Sequence, residues 1–341
     1  MHNLFMKSAP IILFCYNRAE HLRKTLTWLG QNYLADQSVL YIYCDGPKSE
    51  KELGTERVRA LGEYDVYLSK ITAARKVAHE LAMVPSFKEV HIIERDENLG
   101  LGTSIITGVT EVINRHGSAI VLEDDLETSP YFLSYMNQCL EHYEARKSVF
   151  SISGLSRPHS ERFYPQDYPY DVYVSLTHHP TGWATWADRW NQVDWEVKDF
   201  AIVKNNPQMI QAFRRAEHCQ YEELEWQQRE QVNVWSARFA FAHFVNHAVS
   251  ICPIVSYINH IGWDAEATNS PMSSQWNFER LADNANIRFL DVLYEDSRII
   301  NAWYSFSINR PRSLWGKLKN WYGRKFLHRD EYALKGRVYA E

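Results

Sequence analysis

Two patterns of apolar and polar positions alternate along roughly the first third of the chain. Short continuous apolar runs, typical of strands buried on both faces of a parallel sheet, are separated by stretches with apolar residues every three or four positions. The runs and the turns that close them cover residues 10–17, 38–52, 88–100 and 118–125. Strand and helix thus alternate four times, which predicts an α/β fold with a mostly parallel, Rossmann-like sheet flanked by helices.

This alternation weakens from about residue 150. Residues 178–195 carry four tryptophans around Gly182, and residues 206–248 predict a long helical stretch, followed by a strand-like segment. The last segment, 310–329, mixes Leu, Trp and Tyr with Lys and Arg. These changes divide the chain into a first α/β half, a second half and a basic aromatic tail, at residues 8–150, 151–300 and 301–341.

Polar side chains follow each of the four predicted strands. Ligands of open α/β sheets bind beyond the carboxyl ends of the strands. We therefore expect these side chains to converge on one crevice. The four groups are Asn17-Arg18, Asp45-Gly46, Arg95 to Asn98, and Glu123-Asp124-Asp125.

Composition excludes several classes of protein. A net charge of −5 over 341 residues gives no global reason to expect nucleic-acid binding. The five cysteines are scattered without a CxxC spacing, which indicates reduced thiols in a cytosolic protein. The N-terminal apolar run is too short for a signal peptide, and no apolar stretch approaches the length of a membrane span.

Three consecutive carboxylates at the end of the fourth strand leave two hypotheses open. Their mutual repulsion is costly unless a cation neutralises it. They are either a solvated turn that caps the next helix or ligands of a metal ion. Hard divalent cations prefer oxygen ligands, and Asp125 is the residue expected to bind one directly. Asp124 is expected to contact ribose or sugar hydroxyls, or a water on the metal.

If the crevice binds a nucleotide diphosphate sugar, each of the other strand ends has an expected role. Asp45 can accept the N3–H of uracil, although an Asp before Gly also simply forms turns. Arg95 is a candidate partner for phosphate or carboxylate, and Asn98 is expected to hold its turn. No GxGxxG or GxxxxGK[ST] motif follows a strand, which disfavours dinucleotide and P-loop sites. The residues expected at the nucleotide sugar are Asn17, Arg18, Asp45, Arg95, Asn98, Gly100 and Asp124.

Six segments in this order carry a family resemblance: FCYNRAEHLRKTL, YIYCDGP, ENLGLGTSIITGV, IVLEDDLETSPYFLSYM, GWATWADRW…VDW and NHIGWDAEAT. Over roughly residues 8–270 the chain resembles bacterial family 2-like glycosyltransferases with the GT-A fold, especially those related to N-acetylglucosaminyltransferase I. The resemblance implies inverting transfer of a sugar from a nucleotide donor, usually uridine-linked. It also implies Mn²⁺ or Mg²⁺ at Asp125, and an acceptor-side wall at Gly182 and Trp183.

The general base that such a transfer needs is in question. Where the animal relatives have an Asp after Trp, this chain has Ser236, and a serine is a weak base unless another group activates it. Asp264 is the first substitute and Glu230 the second, although a loop cap and a solvated helix face are the ordinary roles of such residues. Asn269 stands where many bacterial relatives carry a His, and we do not count it as a metal ligand.

The basic aromatic tail predicts either a helix lying on anionic lipid or a helix packing its tryptophans on the protein. Equal liposome binding with and without residues 311–341 would rule out the first. The sequence hypothesis is a cytosolic hexosyltransferase, which would be peripheral at the inner face of the cytoplasmic membrane if the tail binds lipid. It would act on a glycan or lipid-linked glycan acceptor in bacterial surface polysaccharide or lipopolysaccharide synthesis. The alternatives are a nucleotidyltransferase of similar fold and a non-catalytic sugar-binding homologue.

Overall fold

The computed structural model describes residues 8–53, 64–156, 164–217, 219–230, 232–262 and 280–308. Two residues considered for the site, Asp264 and Asn269, lie outside the described residues. The same holds for the predicted membrane-binding tail from 309 onward.

The strands in the described residues are β1 Ile11–Cys15, β2 Val39–Cys44, β3 Glu89–Glu94, β4 Ser118–Glu123, β5 Leu126–Thr128, β6 Val149–Ser153, β7 Val172–Ser175, β8 Trp183–Trp186, β9 Val249–Pro253 and β10 Ile258–His260. The helices are α1 Ala19–Gly30, α2 Glu50–Leu53, α3 Tyr64–Ala82, α4 Gly100–His116, α5 Phe132–Tyr143, α6 Ala187–Trp190, α7 Phe200–Val203, α8 Pro207–Ala216, α9 Gln220–Gln228, α10 Trp235–Val245 and α11 Ser297–Ile308. A 3₁₀ turn spans Ala35–Gln37.

Eight of these strands form a large sheet in the order β3-β2-β1-β4-β8-β6-β9-β7. The first four are mutually parallel, β8 runs antiparallel to β4 and β6, and β9 is parallel to β6. β7 pairs with β9 in the antiparallel sense. The remaining two strands, β5 and β10, form a small antiparallel sheet. The prediction of an α/β fold with a large, mostly parallel sheet flanked by helices is confirmed.

The register of the parallel strands explains why their polar ends meet. All five residues of β1 are buried, as expected for a central strand covered on both faces. Cys15 at the end of β1 lies opposite Cys44 at the end of β2, and Phe14 lies opposite Glu123 at the end of β4. The residues that follow these three strands therefore emerge at one edge of the sheet.

Helices cover both faces of the large sheet because successive strand residues point to opposite sides. On one face Ile11 and Leu13 pack with apolar residues of α1, α3 and α5. On the other face Ile12 and Phe14 pack with α4 and α10 and with a group of tryptophans that includes Trp183. The result is a three-layer arrangement with two separate apolar cores.

The second half differs from the sequence prediction in its details. The helical stretch predicted over 206–248 is three helices, α8, α9 and α10, with extended backbone at Glu217 and Val234 between them. The strand-like segment after it is two strands, β9 and β10, in different sheets. The predicted boundary at residue 150 falls inside β6. No helix in the described part of the chain is long and apolar enough to cross a membrane.

Candidate functional site

Asp45 follows β2 and is held by three hydrogen bonds. Its Oδ1 accepts the backbone N–H groups of Leu99 at 3.0 Å and Gly46 at 3.1 Å, and its Oδ2 accepts the Asn98 amide at 3.0 Å. Asp45 as a whole is only 7% exposed. Asp45 and Asn98 thus join the end of β2 to the start of α4, as the turn-forming interpretation predicted. Each carboxylate oxygen has two lone pairs, so Oδ2 can still accept one donor from a ligand.

The acids after β4 do not form a turn that caps the next helix. Strand β5 follows them directly, α5 begins only at Phe132, and the N–H of Phe132 bonds to the carbonyl of Ser129. Asp124 and Asp125 form the turn between β4 and β5, and the helix-capping part of the solvated-turn hypothesis is wrong. Asp124 is largely buried, and its carbonyl accepts the Thr25 hydroxyl at 2.9 Å. The acids therefore belong to the sheet edge and not to a helix cap.

Burial and mutual repulsion disfavour ionisation of two of the three acids. Burial, followed by the charges of Asp125 and Asp124, raises the pKa of Glu123 to about 8. Burial and then the charge of Asp125 raise the pKa of Asp124 to about 7, although Arg18 and the Tyr16 N–H partly oppose this rise. Burial accounts for most of both pKa shifts, and the part that comes from repulsion between the acids is the part that a nearby positive charge would relieve.

Arg18 supplies positive charge to this edge. It directly precedes α1, and its Nη1 donates to Asp125 Oδ2 at 3.0 Å. Both side chains are mostly buried, at 12% and 14% exposure. The other terminal nitrogen, Nη2, lies 3.1 Å from His21 Nε2 and 3.4 Å from the carbonyl of Gly262. The guanidinium therefore links the ends of β1 and β4 to the chain beyond β10.

His260, at the end of β10, was not identified from the sequence. Its Nε2 lies 3.7 Å from the same Asp125 oxygen that Arg18 contacts. Burial lowers the pKa of His260, so its imidazole is predominantly neutral at pH 7. The backbone N–H of Ile261 donates to the Asp125 carbonyl at 2.9 Å, which fixes β10 against the acidic segment. The available signal was the NHIG segment, in which the His precedes a glycine that closes onto the acids.

Gly262 has no room for a side chain. A Cβ atom here would overlap Asp125 Oδ2 and lie 2.8 Å from His260 Cε1 and 2.9 Å from Arg18 Nη1. The backbone therefore passes directly over the cluster of Arg18, Asp125 and His260, which we call the carboxylate centre. The backbone can approach these three side chains so closely only because residue 262 is a glycine.

Arg95 does not join the carboxylate centre. Its guanidinium donates to the Ser104 hydroxyl and, at 3.1 Å, to the Thr107 hydroxyl, and it stacks 5.2 Å from the centre of the Tyr43 ring. Ser104 and Thr107 belong to α4, so the side chain is directed toward that helix. These hydroxyls and the ring hold the guanidinium beside α4, and its contact with phosphate stays a prediction.

Asn17 follows β1, and Gly100 lies at the start of α4; their contacts with a nucleotide sugar stay predictions. Asn17 is half-buried between β1 and Arg18, and its amide makes no hydrogen bond to the described residues. Gly100 begins α4 with a φ of 72°, a left-handed conformation that favours glycine. The Asn98–Gly100 turn therefore depends on Gly100 for its backbone and on Asn98 for its link to Asp45.

The prediction that Trp183 walls an acceptor site is wrong for the arrangement described. Trp183 is 1% exposed and stacks between Trp190 and Trp235, so its indole is part of the core. Gly182 is also buried, with a φ of 54° and packing against Ile258 and Phe132. A glycine at position 182 therefore allows close packing of the backbone against Ile258 and Phe132 inside the protein.

Of the base candidates, Ser236 and Glu230 can be located. Ser236 lies half-buried in the first turn of α10. Glu230 is exposed just after α9, with a φ of 56°, and its N–H bonds to the Gln227 carbonyl at 3.0 Å. The structure does not bring Glu230 into contact with the carboxylate centre. Asp264 lies outside the described residues, two positions beyond Gly262.

Two donors at the carboxylate centre could hold a divalent cation. Asp125 offers a carboxylate oxygen, the donor that suits Mg²⁺ and Mn²⁺, and His260 offers a neutral nitrogen. The described residues contain no group of three or more His, Cys, Asp and Glu side chains that could hold a metal. The pair therefore fits a cation that completes its coordination with ligand or water oxygens.

A cavity of about 400 Å³ lies elsewhere, along the edge strand β3. Tyr41, His91, Glu111 and Arg115 line it, and none of the strand-end carboxyls does. We assign the chemistry to the carboxylate centre because charge, burial and strand-end position coincide there.

No family model and no curated protein matches the sequence. Among solved structures, the 1–349 portion of S. aureus TarS is similar at 10% identity and a TM-score of 0.33, over 54% of this chain and 49% of that one. A longer S. aureus TarS structure gives 10% identity and 0.36, over 73% and 36%. A UDP-glucose pyrophosphorylase in complex with UDP-glucose gives 11% and 0.32, over 72% and 90%. The chain thus spans half or less of the two TarS chains, and these distant similarities carry no argument about function.

Proposed function

We propose that this chain is a metal-dependent, inverting glycosyltransferase that uses a nucleotide diphosphate sugar, with UDP as the favoured nucleotide. The observation that carries the proposal is the carboxylate centre. Asp125, a neutral imidazole and an arginine meet there, next to Glu123 and Asp124, at the carboxyl edge of a parallel sheet. The family resemblance of the sequence supports the same reaction class.

The fit to a divalent cation rests on the chemistry of the donors. Asp125 and His260 would hold the cation. Its positive charge would lower the raised pKa values of Glu123 and Asp124, because it favours their ionised forms. When bound, Mn²⁺ or Mg²⁺ supplies positive charge opposite the diphosphate of the leaving nucleotide.

The residues of the chain would bind and orient the donor around that position. Asp45 would accept the uracil N3–H through its remaining lone pair, held in place by Asn98. Arg18 would turn from Asp125 toward the diphosphate, since a guanidinium donates two parallel hydrogen bonds to phosphate oxygens. Asp124 would contact the ribose or the transferred sugar, and Asn17 and Gly100 would line the nucleotide.

A base must remove the proton from the attacking acceptor hydroxyl as the anomeric bond to the diphosphate breaks. Asp264 is the proposed base, since the chain reaches it two residues after Gly262. Glu230 is the second candidate, and its exposed position after α9 makes it less suited. The acceptor is proposed to be a glycan or lipid-linked glycan, reached at a membrane surface through residues 311–329.

Calorimetric titration with UDP, with and without Mn²⁺, tests the proposal. We expect Mn²⁺ to tighten UDP binding by about tenfold or more, and Asp125→Asn to remove this gain. Asp36→Asn is the matched control, because Asp36 is exposed and its side chain makes no hydrogen bond within the described residues. Circular dichroism verifies that both variants fold. UDP binding that is absent, or equal with and without metal in the wild type, would refute the proposal.

The non-catalytic alternative is favoured by one observation, the serine at position 236 where the resemblance expects a carboxylate. Slow hydrolysis of a UDP-hexose without acceptor separates the two. An enzyme releases UDP in a Mn²⁺-dependent way that Asp125→Asn abolishes. A binding module leaves the donor intact although it binds UDP.

A further inference from the structure

A groove of about 310 Å³ lies beside the small sheet, between the C-terminal end of α1 and the segment 281–283. We propose that this groove binds a neutral sugar unit of the glycan acceptor. Its identity as an acceptor site rests on the proposed function, whereas its capacity to bind sugar does not. The lining residues used in the argument are Trp28, Gln31, Glu127, Pro130, Leu281 and Asp283.

The groove adjoins the carboxylate centre through the small sheet. Glu127 lies two residues beyond Asp125, which corresponds to about 7 Å along an extended chain. It pairs with Asn259, the neighbour of His260 on β10. A glycan with its terminal hydroxyl at the carboxylate centre can therefore reach the groove with its next sugar.

Trp28 offers the apolar surface that a sugar ring needs. Its indole is half-buried, yet it belongs to none of the apolar core clusters formed by the described residues, whereas Leu22, Leu26 and Leu29 of the same helix do. Burial against the core therefore does not account for this tryptophan. Aromatic faces pack well against the C–H face of a pyranose and leave its hydroxyls at the ring edge.

Polar groups with spare hydrogen-bonding capacity surround that surface. Asn259 donates to Glu127 Oε2 at 3.2 Å, and Oε1 has no partner among the described residues. Within the same part of the chain, the Trp28 indole N–H and the Gln31 side-chain amide also make no hydrogen bond. The groove thus presents both donors and acceptors, as the hydroxyls of a sugar require.

Charge excludes the nucleotide donor from this groove. Glu127 and Asp283 both line it, and Asp283 is paired with the exposed Arg280 at 2.5 Å. A diphosphate would meet repulsion from Glu127, whereas a neutral sugar meets none. The volume is at the lower end of ligand pockets, which suits one or two sugar rings.

The wall of the groove is already held in place. Ala282 accepts the Ser129 hydroxyl through its carbonyl, and its own N–H donates to the Ser256 carbonyl at 2.7 Å. Three residues on, the Ala285 carbonyl accepts the Gln138 amide at 2.9 Å. A pre-formed wall avoids the entropy that ordering a loop would cost on binding.

The test is a titration of the full chain, with ¹⁵N-labelled tryptophan, by the methyl glycosides of glucose, galactose and N-acetylglucosamine. The indole N–H signal of Trp28 is assigned by its absence in Trp28→Phe. We expect saturable shifts of this signal with dissociation constants on the order of millimolar. Glu127→Gln should weaken binding by roughly tenfold and Gln31→Ala by less, while Gln37→Ala, an exposed glutamine on the 3₁₀ turn, should match the wild type.

UDP affinity with Mn²⁺ is measured on the same samples. Sugar binding that Glu127→Gln weakens, with unchanged UDP affinity, supports the groove. No shift of the Trp28 signal with any of the three glycosides overturns it, and intact UDP binding in that case leaves the proposed function standing. Sugar binding without UDP binding keeps the groove as a carbohydrate site and refutes the glycosyltransferase.

Discussion

Two clusters with titratable groups lie at or against the large sheet, and they differ in the charge of the groups that they bury. Glu123, Asp124 and Asp125 gather charges of one sign at the end of β4. The histidine cluster, made of Ser151, His178, His243 and Ser250, gathers groups that are neutral. Ser151 Oγ lies 3.2 Å from His178 Nδ1, 3.1 Å from His243 Nε2 and 2.6 Å from Ser250 Oγ.

The pKa shifts of the two clusters show the difference. Burial lowers the pKa of His243 to about 4 and holds that of His178 well below its usual range, so both rings remain neutral and pack on aromatic neighbours. At β4, burial and repulsion raise the carboxyl pKa values instead. A neutral buried network stabilises the fold, whereas like charges impose a cost that a bound cation would relieve.

The largest expected effect is on the aromatic packing around the histidine cluster. The ring of His178 packs edge-on against Trp183 at 4.9 Å between centroids, and Trp183 is almost fully buried. Trp183→Ala should lower the free energy of unfolding by about 3–5 kcal/mol, measured by urea denaturation, because it leaves a cavity in the core.

Trp28→Ala is the matched control for Trp183→Ala. It removes the same side chain from a half-buried position outside the core clusters and should cost about 1 kcal/mol or less. If Trp183→Ala were as mild as Trp28→Ala, Trp183 would not be a core residue, and its predicted role at an acceptor would return.

The second effect is a pH dependence from the histidine cluster. The folded pKa of His243 lies below its unfolded value of 6.5, so the unfolded chain binds a proton that the folded chain does not. Stability from this group is complete above about pH 6.5 and is lost as pH falls toward 4. Between pH 7.5 and pH 5, His243 alone should contribute a loss of about 2 kcal/mol to the free energy of unfolding.

Comparing His243→Gln with the wild type isolates the pH-dependent contribution of His243 to the free energy of unfolding. The variant is less stable at pH 7.5 because of lost packing, but its stability should fall less steeply toward pH 5. His247→Asn removes an exposed histidine, and its free energy of unfolding should depend on pH as steeply as that of the wild type. An unchanged slope in His243→Gln would show that the cluster does not hold its imidazoles neutral.

The smallest effect is expected at the carboxyl cluster. The pKa of Glu123 is about 8, so the folded chain must take up a proton at this carboxyl at pH 7.5, whereas the unfolded chain does not. Glu123→Gln removes this cost and should raise the free energy of unfolding at pH 7.5 by about 1–2 kcal/mol. The same substitution at an exposed acid, Glu196→Gln, should change stability by no more than about 0.5 kcal/mol. Destabilisation by Glu123→Gln would mean that the cluster is a satisfied structural network and would remove the contrast with the histidines.

The first half of the fold could be predicted from the sequence because each central strand carries its own signal. β1 and β4 are buried on both faces, and this produces the unbroken apolar runs at 11–15 and 119–122. The placement of Asp45, Asn98 and the three acids at one edge followed from strand direction alone. Parallel strands share that edge whatever their side chains do.

Side-chain direction and distant pairing could not be predicted in the same way. His260 approaches Asp125 only because β10 pairs with β5, a contact between segments more than 130 residues apart. Arg95 and Trp183 occur in segments that suggested ligand contacts, yet α4 hydroxyls hold the first and indole stacking holds the second. The breaks between α8, α9 and α10 carry no Gly or Pro, so local propensity gave no reason to interrupt the helix.

The pairing of β4 has a consequence for dissecting the molecule. β4 is bonded to β1 on one side and to β8 on the other, so the two halves share one continuous hydrogen-bonded sheet. A fragment ending near residue 150 would leave the inner edge of β4 open and would expose the face that Trp183 covers. Open edges of this kind recruit other chains, so such a fragment would aggregate. The two halves should therefore unfold together, as a single cooperative unit.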